Sequence, residues 1–205
     1  MKFYLNDKFL DRNQYGDSSL KKLIESCQIF IQCRGNDSSR EKLFNLLWNQ
    51  YQRRVTFFIQ NMVKDNAEDL FQEVMLKVYQ NLDKYNPVYS FNTWIYTIAR
   101  NHCLNYLNKR KLHTVNLDKE EANIFEPINL NSPETQSLNK ELYQTVDNIL
   151  STFNEDNRQI AFLRFFEGMK NRDIARVMDI PTGTVKSRLH KIRTSIKNEL
   201  EKYYE

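Results

Sequence analysis

Between Asn171 and Arg193 the chain places cations suited to phosphates and hydrogen-bonding groups suited to base edges on one short segment. The run Asn171-Arg172-Asp173-Ile174-Ala175-Arg176-Val177-Met178 is followed by a break at Asp179-Ile180-Pro181. Then comes Thr182-Gly183-Thr184-Val185-Lys186-Ser187-Arg188-Leu189-His190-Lys191-Ile192-Arg193. Asn171 can cap a short helix, the small Ala175 permits a close crossing, and Pro181 ends the connection because its ring fixes φ and disfavours helix in the residue before it. Asp179 stands where such turns often have glycine, and Asp tolerates the left-handed conformation better than most residues. In the second helix Val185, Leu189, Ile192 and Ile196 fall on one apolar stripe. The opposite face carries Gly183, Lys186, Ser187, His190, Lys191 and Thr194, flanked by Arg188 and Arg193, a surface of the kind that enters a major groove. The pattern predicts a helix-turn-helix whose second helix reads DNA. A solvated basic helix is the plainer alternative, and the tight turn after a short helix weighs against it.

A second group of residues with usable chemistry follows the break at Asn86-Pro87. A helix is expected from Ser90 to about Arg110, with Ile95, Ala99, Cys103 and Tyr106 on one side, which places Cys103 in a core. The other side holds Trp94, Thr97, Asn101, Asn105 and Asn108, with Arg100 adjacent and Lys109-Arg110-Lys111 at the end. Rings stack on bases, amides bond base edges and cations hold phosphates, so this face suits single-stranded nucleic acid. Taken alone, a tryptophan packed in the core with polar neighbours in water is an equally ready reading.

Two further helices must position these groups. Asp37-Ser38-Ser39 can cap a long one with Leu43, Leu47, Tyr51, Val55, Phe58 and Met62 near helical spacing. Asn66 is expected to cap the next, whose first turn, Ala67-Glu68-Asp69, is acidic as the helix dipole favours, and whose core stripe is Leu70, Val74, Val78 and Leu82. From His113 to about Gln136 the chain is Asn-rich and acidic, contains Pro127 and Pro133, and keeps no helical period, which predicts a linker. The expected architecture is all-α: one small helical domain over 23–112 and a second over 137–205, joined by the linker at 113–136. Residues 1–22 form an extension to which no role is assigned.

Composition narrows the function classes. Four glycines and four prolines in 205 residues argue against a β-rich fold. No apolar stretch approaches the roughly 18 to 20 residues needed to cross a membrane, and the start at Met1-Lys2-Phe3-Tyr4 has no signal-peptide core. Three cysteines, Cys27, Cys33 and Cys103, make no even disulfide framework, so a cytoplasmic protein with reduced thiols is expected. The histidines His102, His113 and His190 lack partners at metal-ligand spacing, and no Gly-rich phosphate loop is present, so neither a metal, a cofactor nor an enzyme is expected. The net charge of +4 is unevenly spread: residues 1–112 carry 17 Lys and Arg against 11 Asp and Glu (+6), residues 113–157 carry 2 against 9 (−7), and residues 158–205 carry 11 against 6 (+5). Two basic blocks flank an acidic one that DNA would repel.

The run Ala67-Glu68-Asp69-Leu70-Phe71-Gln72-Glu73-Val74, followed by Ser90-Phe91-Asn92-Thr93-Trp94-Ile95-Tyr96-Thr97-Ile98-Ala99-Arg100-Asn101, resembles region 2 of bacterial sigma factors of the sigma-70 family. The helix-turn-helix resembles their region 4. The acidic linker sits where the extracytoplasmic-function (ECF) subgroup lacks an intervening domain. The resemblance covers roughly residues 25–112 and 137–202.

This resemblance implies a non-enzymatic initiation factor that binds core RNA polymerase, recognises a promoter at two elements and assists strand opening. Asp69, Gln72 and Glu73 match positions that dock on the clamp helices of the largest polymerase subunit; an acidic helix face on a basic domain suits a basic protein partner. The polymerase flap is the second implied contact. The loop from Tyr85 to Asn92, including Phe91, and then Trp94, Asn101 and Asn105 correspond to positions that capture the single-stranded minus-10 element, with Arg100, Lys109 and Arg110 toward phosphates. Lys186, Ser187, His190 and Lys191 correspond to minus-35 base contacts on duplex DNA, and Arg172, Thr184 and Arg188 to its backbone. The linker would thread a polymerase channel shaped for RNA, its acids standing in for phosphates. A free monomer is implied, and an anti-sigma factor, which holds many ECF relatives inactive, is an open further partner. A stand-alone helix-turn-helix regulator is the rival; it needs neither the Asp69–Glu73 surface nor the Trp94–Asn105 face.

Overall fold

Each apolar stripe in the sequence becomes the buried face of a helix. The structure, a computed structural model, describes residues 37–63, 65–113 and 152–201. Along them run α1 (Asp37–Gln60), α2 (Ala67–Gln80), a 3-10 turn (Leu82–Lys84), α3 (Phe91–His113), α4 (Glu155–Ala161), a π-helical turn (Phe162–Phe166), α5 (Asn171–Met178) and α6 (Thr182–Glu201). The architecture is all-α, with α1–α3 forming one module and α4–α6 the other. The extension at 1–22, Cys27 and Cys33, the linker beyond His113 and the first part of the second module lie outside the described residues.

The stripes are buried as the periodicity demands: Leu43, Leu47, Tyr51, Val55, Phe58 and Met62 from α1, Leu70, Val74 and Val78 from α2 with Leu82 behind it, Ile95, Ala99 and Cys103 from α3, and Val185, Leu189 and Ile192 from α6. Tyr106 and Ile196, at the stripe ends, are half-buried against this core. Burial of a leucine- or phenylalanine-sized side chain contributes about 1.5–3 kcal/mol, so these contacts, rather than helix propensity, hold the elements together.

The helix starts depart from the sequence reading in two places. Asn66 precedes α2, but its backbone is left-handed (φ 62°) and its side chain makes no capping bond. Its amide instead donates to the Tyr106 hydroxyl at 3.2 Å, tying the head of α2 to α3. Glu68 and Asp69 are left to complement the helix dipole. Lys170, not Asn171, precedes α5; Asn171 is the first helical residue, and the amides of Asp173 and Ile174 bond the Lys170 carbonyl. Ser90 does cap α3: its Oγ accepts from the Thr93 amide at 3.2 Å and pairs with Thr93 Oγ1 at 2.8 Å.

Between α4 and α5 the chain makes a wide π turn, in which the Glu167 amide bonds the Phe162 carbonyl at 3.2 Å. Gly168, at φ 65°, then reverses the chain in a conformation that any Cβ would strain. The turn aims Phe162 out of its own module and into the other. Its ring lies 5.4 Å from Phe57 and 5.9 Å from Phe58 of α1, and 6.0 Å from Tyr96 of α3. One apolar core therefore runs through both modules.

Cys103 shows what that burial does to chemistry. The thiol is buried, and desolvation, reinforced by the nearby Glu155 carboxylate, pushes its pKa up to about 12. Since the thiolate is the nucleophile, Cys103 is expected to resist alkylation at pH 8 in the folded protein and to react on unfolding. Peptide mapping after timed iodoacetamide treatment checks this; rapid native modification at Cys103 would show that α3 is not packed as described.

Candidate nucleic-acid interface

The helix-turn-helix is built as its turn chemistry requires. Asp179 adopts the left-handed conformation (φ 53°), and the Ile180 amide bonds back to the Ala175 carbonyl at 3.0 Å, closing α5 in the manner usual for a C-terminal cap. Ala175 is buried at the crossing. Along α6, Gly183, Lys186, Ser187, His190 and Lys191 are exposed, as is Arg172 on α5, while Thr184 and Arg188 are half-buried. Ser187 Oγ donates to the Thr184 carbonyl at 2.9 Å, so toward a base it is left as an acceptor. Arg188 is engaged: its Nη1 meets Asp156 Oδ2 at 2.9 Å.

The second surface is a hydrogen-bonded loop followed by the polar side of α3. The Tyr85 hydroxyl donates to the Tyr89 carbonyl at 2.6 Å, and the Val88 amide bonds Asn86 Oδ1 at 3.0 Å. These bonds hold Val88 (81% exposed) and Tyr89 (40% exposed) at the tip. Tyr85 and Phe91, expected from the resemblance to face the minus-10 strand, are instead buried: their rings pack on one another at 5.3 Å. Half-buried Trp94 packs at 5.3 Å from Tyr85 and 5.4 Å from Phe91, so it backs the loop as core-like support rather than standing free. An aromatic triplet buries more apolar area by closing on itself than by facing water, which is why the loop tip rather than its base is exposed. Asn101, Asn105 and Lys109 are exposed along α3, Arg110 pairs with Asp65 at 3.0 Å, and Arg100 is largely covered.

The third surface lies on α2. Asp69, Gln72 and Glu73 are all exposed, and one turn further on Leu76 is 55% exposed on the same face. Glu73 also joins α2 to α3 through His102: Glu73 Oε2 meets Nε2 at 2.7 Å, and Lys77 Nζ meets Nδ1 at 2.7 Å. An ammonium can only donate, so in this arrangement Nδ1 is the acceptor and Nε2 carries the proton toward Glu73. An acidic rim around an exposed leucine suits a protein surface better than DNA.

The sequence reading took the loop from Tyr85 to Asn92 as a whole and did not single out Val88 and Tyr89 as its exposed tip, although apolar residues beside Asn86-Pro87 were a usable signal. It also missed Leu76 and the partners of Arg100 and Arg188. Among the described residues no group of three or more His, Cys, Asp or Glu could hold a metal ion, and no helix is long and apolar enough to cross a membrane.

Family comparison decides what these surfaces belong to. The model for sigma-70 region 2 matches residues 47–113, and that for sigma-70 region 4 matches residues 143–196. The chain belongs to the sigma-70 family. Its membership of the ECF group follows from relatives each described as an ECF RNA polymerase sigma-E factor. That of Escherichia coli is 34% identical over 168 residues, covering 78% of this chain and 88% of the relative. That of Haemophilus influenzae is 33% identical, covering 78% and 89%. Among solved structures, the sigma factor RpoE of Bartonella quintana, in complex with the anti-sigma factor NepR, has a TM-score of 0.60 at 22% identity and covers 78% of this chain and 98% of that one. CnrH, in complex with the cytosolic domain of CnrY, has a TM-score of 0.54 at 15% identity, covering 88% and 96%. At those identities the two structures show a shared fold. This ECF sigma factor is a transcription initiation factor, and the stand-alone regulator reading is not favoured.

Proposed function

We propose the following division of labour for this sigma factor. The α2 face formed by Asp69, Gln72, Glu73 and Leu76 docks on the clamp helices of core RNA polymerase, with the flap as a second contact for the α4–α6 module. Lys186, Ser187, His190 and Lys191 read minus-35 bases in the major groove, while Arg172, Thr184 and Arg188 hold the duplex backbone. The minus-10 element is opened on the loop and α3: Val88 and Tyr89 offer apolar surface to an unstacked base, Asn101 and Asn105 offer amides to its edge, and Arg100, Lys109 and Arg110 face phosphates. Tyr85, Phe91 and Trp94 position the loop. Unstacking costs a few kcal/mol per base, offset by capture of the base on this surface, so no chemical step and no cofactor is needed.

The observation that carries this reading is the coexistence, in one chain, of a helix-turn-helix with an exposed basic face and an acidic, partly apolar α2 face of opposite character. The proposal also takes 23–112 and 137–205 as the working units, the acidic linker between them as the segment that enters the polymerase channel, and the cytoplasm as the compartment. A protein of the anti-sigma class, such as holds the Bartonella quintana relative, is included as a partner. The test is to mix the purified chain with core polymerase and a promoter fragment library. Stable binding with promoter-selective transcripts is expected; duplex binding without polymerase binding would overturn the reading.

A further inference from the structure

Asp69, Glu73 and Lys77 follow one another at four-residue intervals along α2. On a helix surface a glutamate followed at that spacing by a lysine can meet it directly, and the pair then cancels its own charge. Here each takes a nitrogen of His102 instead. Glu73 Oε2 accepts from His102 Nε2 at 2.7 Å and Lys77 Nζ donates to His102 Nδ1 at 2.7 Å, so one imidazole from α3 bridges the carboxylate and the ammonium.

The bridge fixes the state of the ring. An ammonium only donates, so Nδ1 accepts and the ring hydrogen sits on Nε2. An imidazole protonated at one nitrogen is neutral, so its bond to Glu73 orients the carboxylate without cancelling the charge. The His102 side chain is 12% exposed, whereas that of Glu73 is 60% exposed, so the ring is covered between the helices while the acid it holds faces outward. Lys77 is half-buried and turned toward α3.

Glu73 shares its exposed face with Asp69, Gln72 and Leu76. A basic partner surface is attracted by uncompensated carboxylates and opposed by an ammonium set among them. Asp69 and Glu73 are like charges at helical spacing and repel each other. A Glu73 released from His102 is therefore drawn to Lys77, and the face loses charge.

We propose that His102 is a positioning residue for polymerase docking: by accepting from Lys77 and donating to Glu73 it keeps the ammonium off the acidic face and presents a fully charged Glu73 to a cationic partner surface. This role rests on the docking reading of the α2 face given above.

The test uses the full chain and core polymerase at low salt, where exposed charges contribute most. His102→Leu should weaken polymerase binding about two- to fivefold and leave binding to minus-35 duplex unchanged. Adding Lys77→Met to His102→Leu should recover most of that loss, because the ammonium that would neutralise Glu73 is gone. His102→Gln, whose amide both donates and accepts, should bind as wild type does. Nitrogen NMR of the ring at about pH 8 should show a neutral imidazole protonated at Nε2; protonation at Nδ1 would overturn the proposal, since that ring cannot accept from Lys77. If His102→Leu and His102→Gln both weaken binding and Lys77→Met restores neither, His102 only packs α3 on α2 and the positioning role is lost. If Glu73→Gln weakens polymerase binding and His102→Leu does not, the positioning role is overturned and the docking reading stands. If Glu73→Gln itself changes nothing, the docking role of Glu73 falls and the role of His102 falls with it.

Discussion

Phe162→Ala should lower stability by about 3–5 kcal/mol, the usual cost of emptying an aromatic site in a packed core. In a chain of this size that is a fall in Tm of about 10 °C. The loss is expected to be uneven. Phe162 belongs to the α4–α6 module by sequence, but three of the rings around it, Phe57, Phe58 and Tyr96, belong to the other. Removing it should uncouple the modules, so that one thermal transition becomes two and amide exchange rises first in α4 and α5. Calorimetry with hydrogen exchange checks this. A single transition shifted by less than about 1 kcal/mol would mean that the modules do not share a core.

The second large effect separates the two working faces. Gln72→Ala with Glu73→Ala should weaken binding to core polymerase by about 2 kcal/mol or more, a factor of roughly 30, and leave binding to isolated minus-35 duplex unchanged. Lys186→Ala or Lys191→Ala should do the reverse, costing about 1–3 kcal/mol if the side chain reaches a base. Glu73 also holds His102, so Gln72→Ala alone is the control for a disturbed α2–α3 contact. Polymerase pull-down titrations and duplex binding by fluorescence anisotropy supply the two readouts. Equal behaviour of both variant pairs would remove the division of labour.

The missed helix caps and the buried aromatics have a common cause. Asn66 and Asn171 have the right residue type for a cap, but each cap depends on where the chain enters the helix, and packing against α3 turned the Asn66 amide toward Tyr106. Tyr85 and Phe91 are assigned to the single strand by the family resemblance alone, and Trp94 also by its place on the polar side of its helix. Three neighbouring rings close on one another unless something else covers them, and spacing alone cannot reveal that closure.

The sequence by itself determined the helices, their apolar faces, the helix-turn-helix with its left-handed Asp179, the acidic face of α2 and the family. All of these rest on patterns within a few turns of chain, where 3.6-residue periodicity and turn chemistry act. Only the tertiary structure decided which cations are free and which are held. Arg54 and Glu167 are 113 positions apart, and Asp156 meets Arg188 across 32. The Arg54–Glu167 pair forms because a π turn of one extra residue and a left-handed Gly168 aim Phe162 and Glu167 toward α1 and α3, and the Asp156–Arg188 pair because α4 packs on α6. A rotation of that kind is set by packing in three dimensions and leaves no local mark in the order of residues.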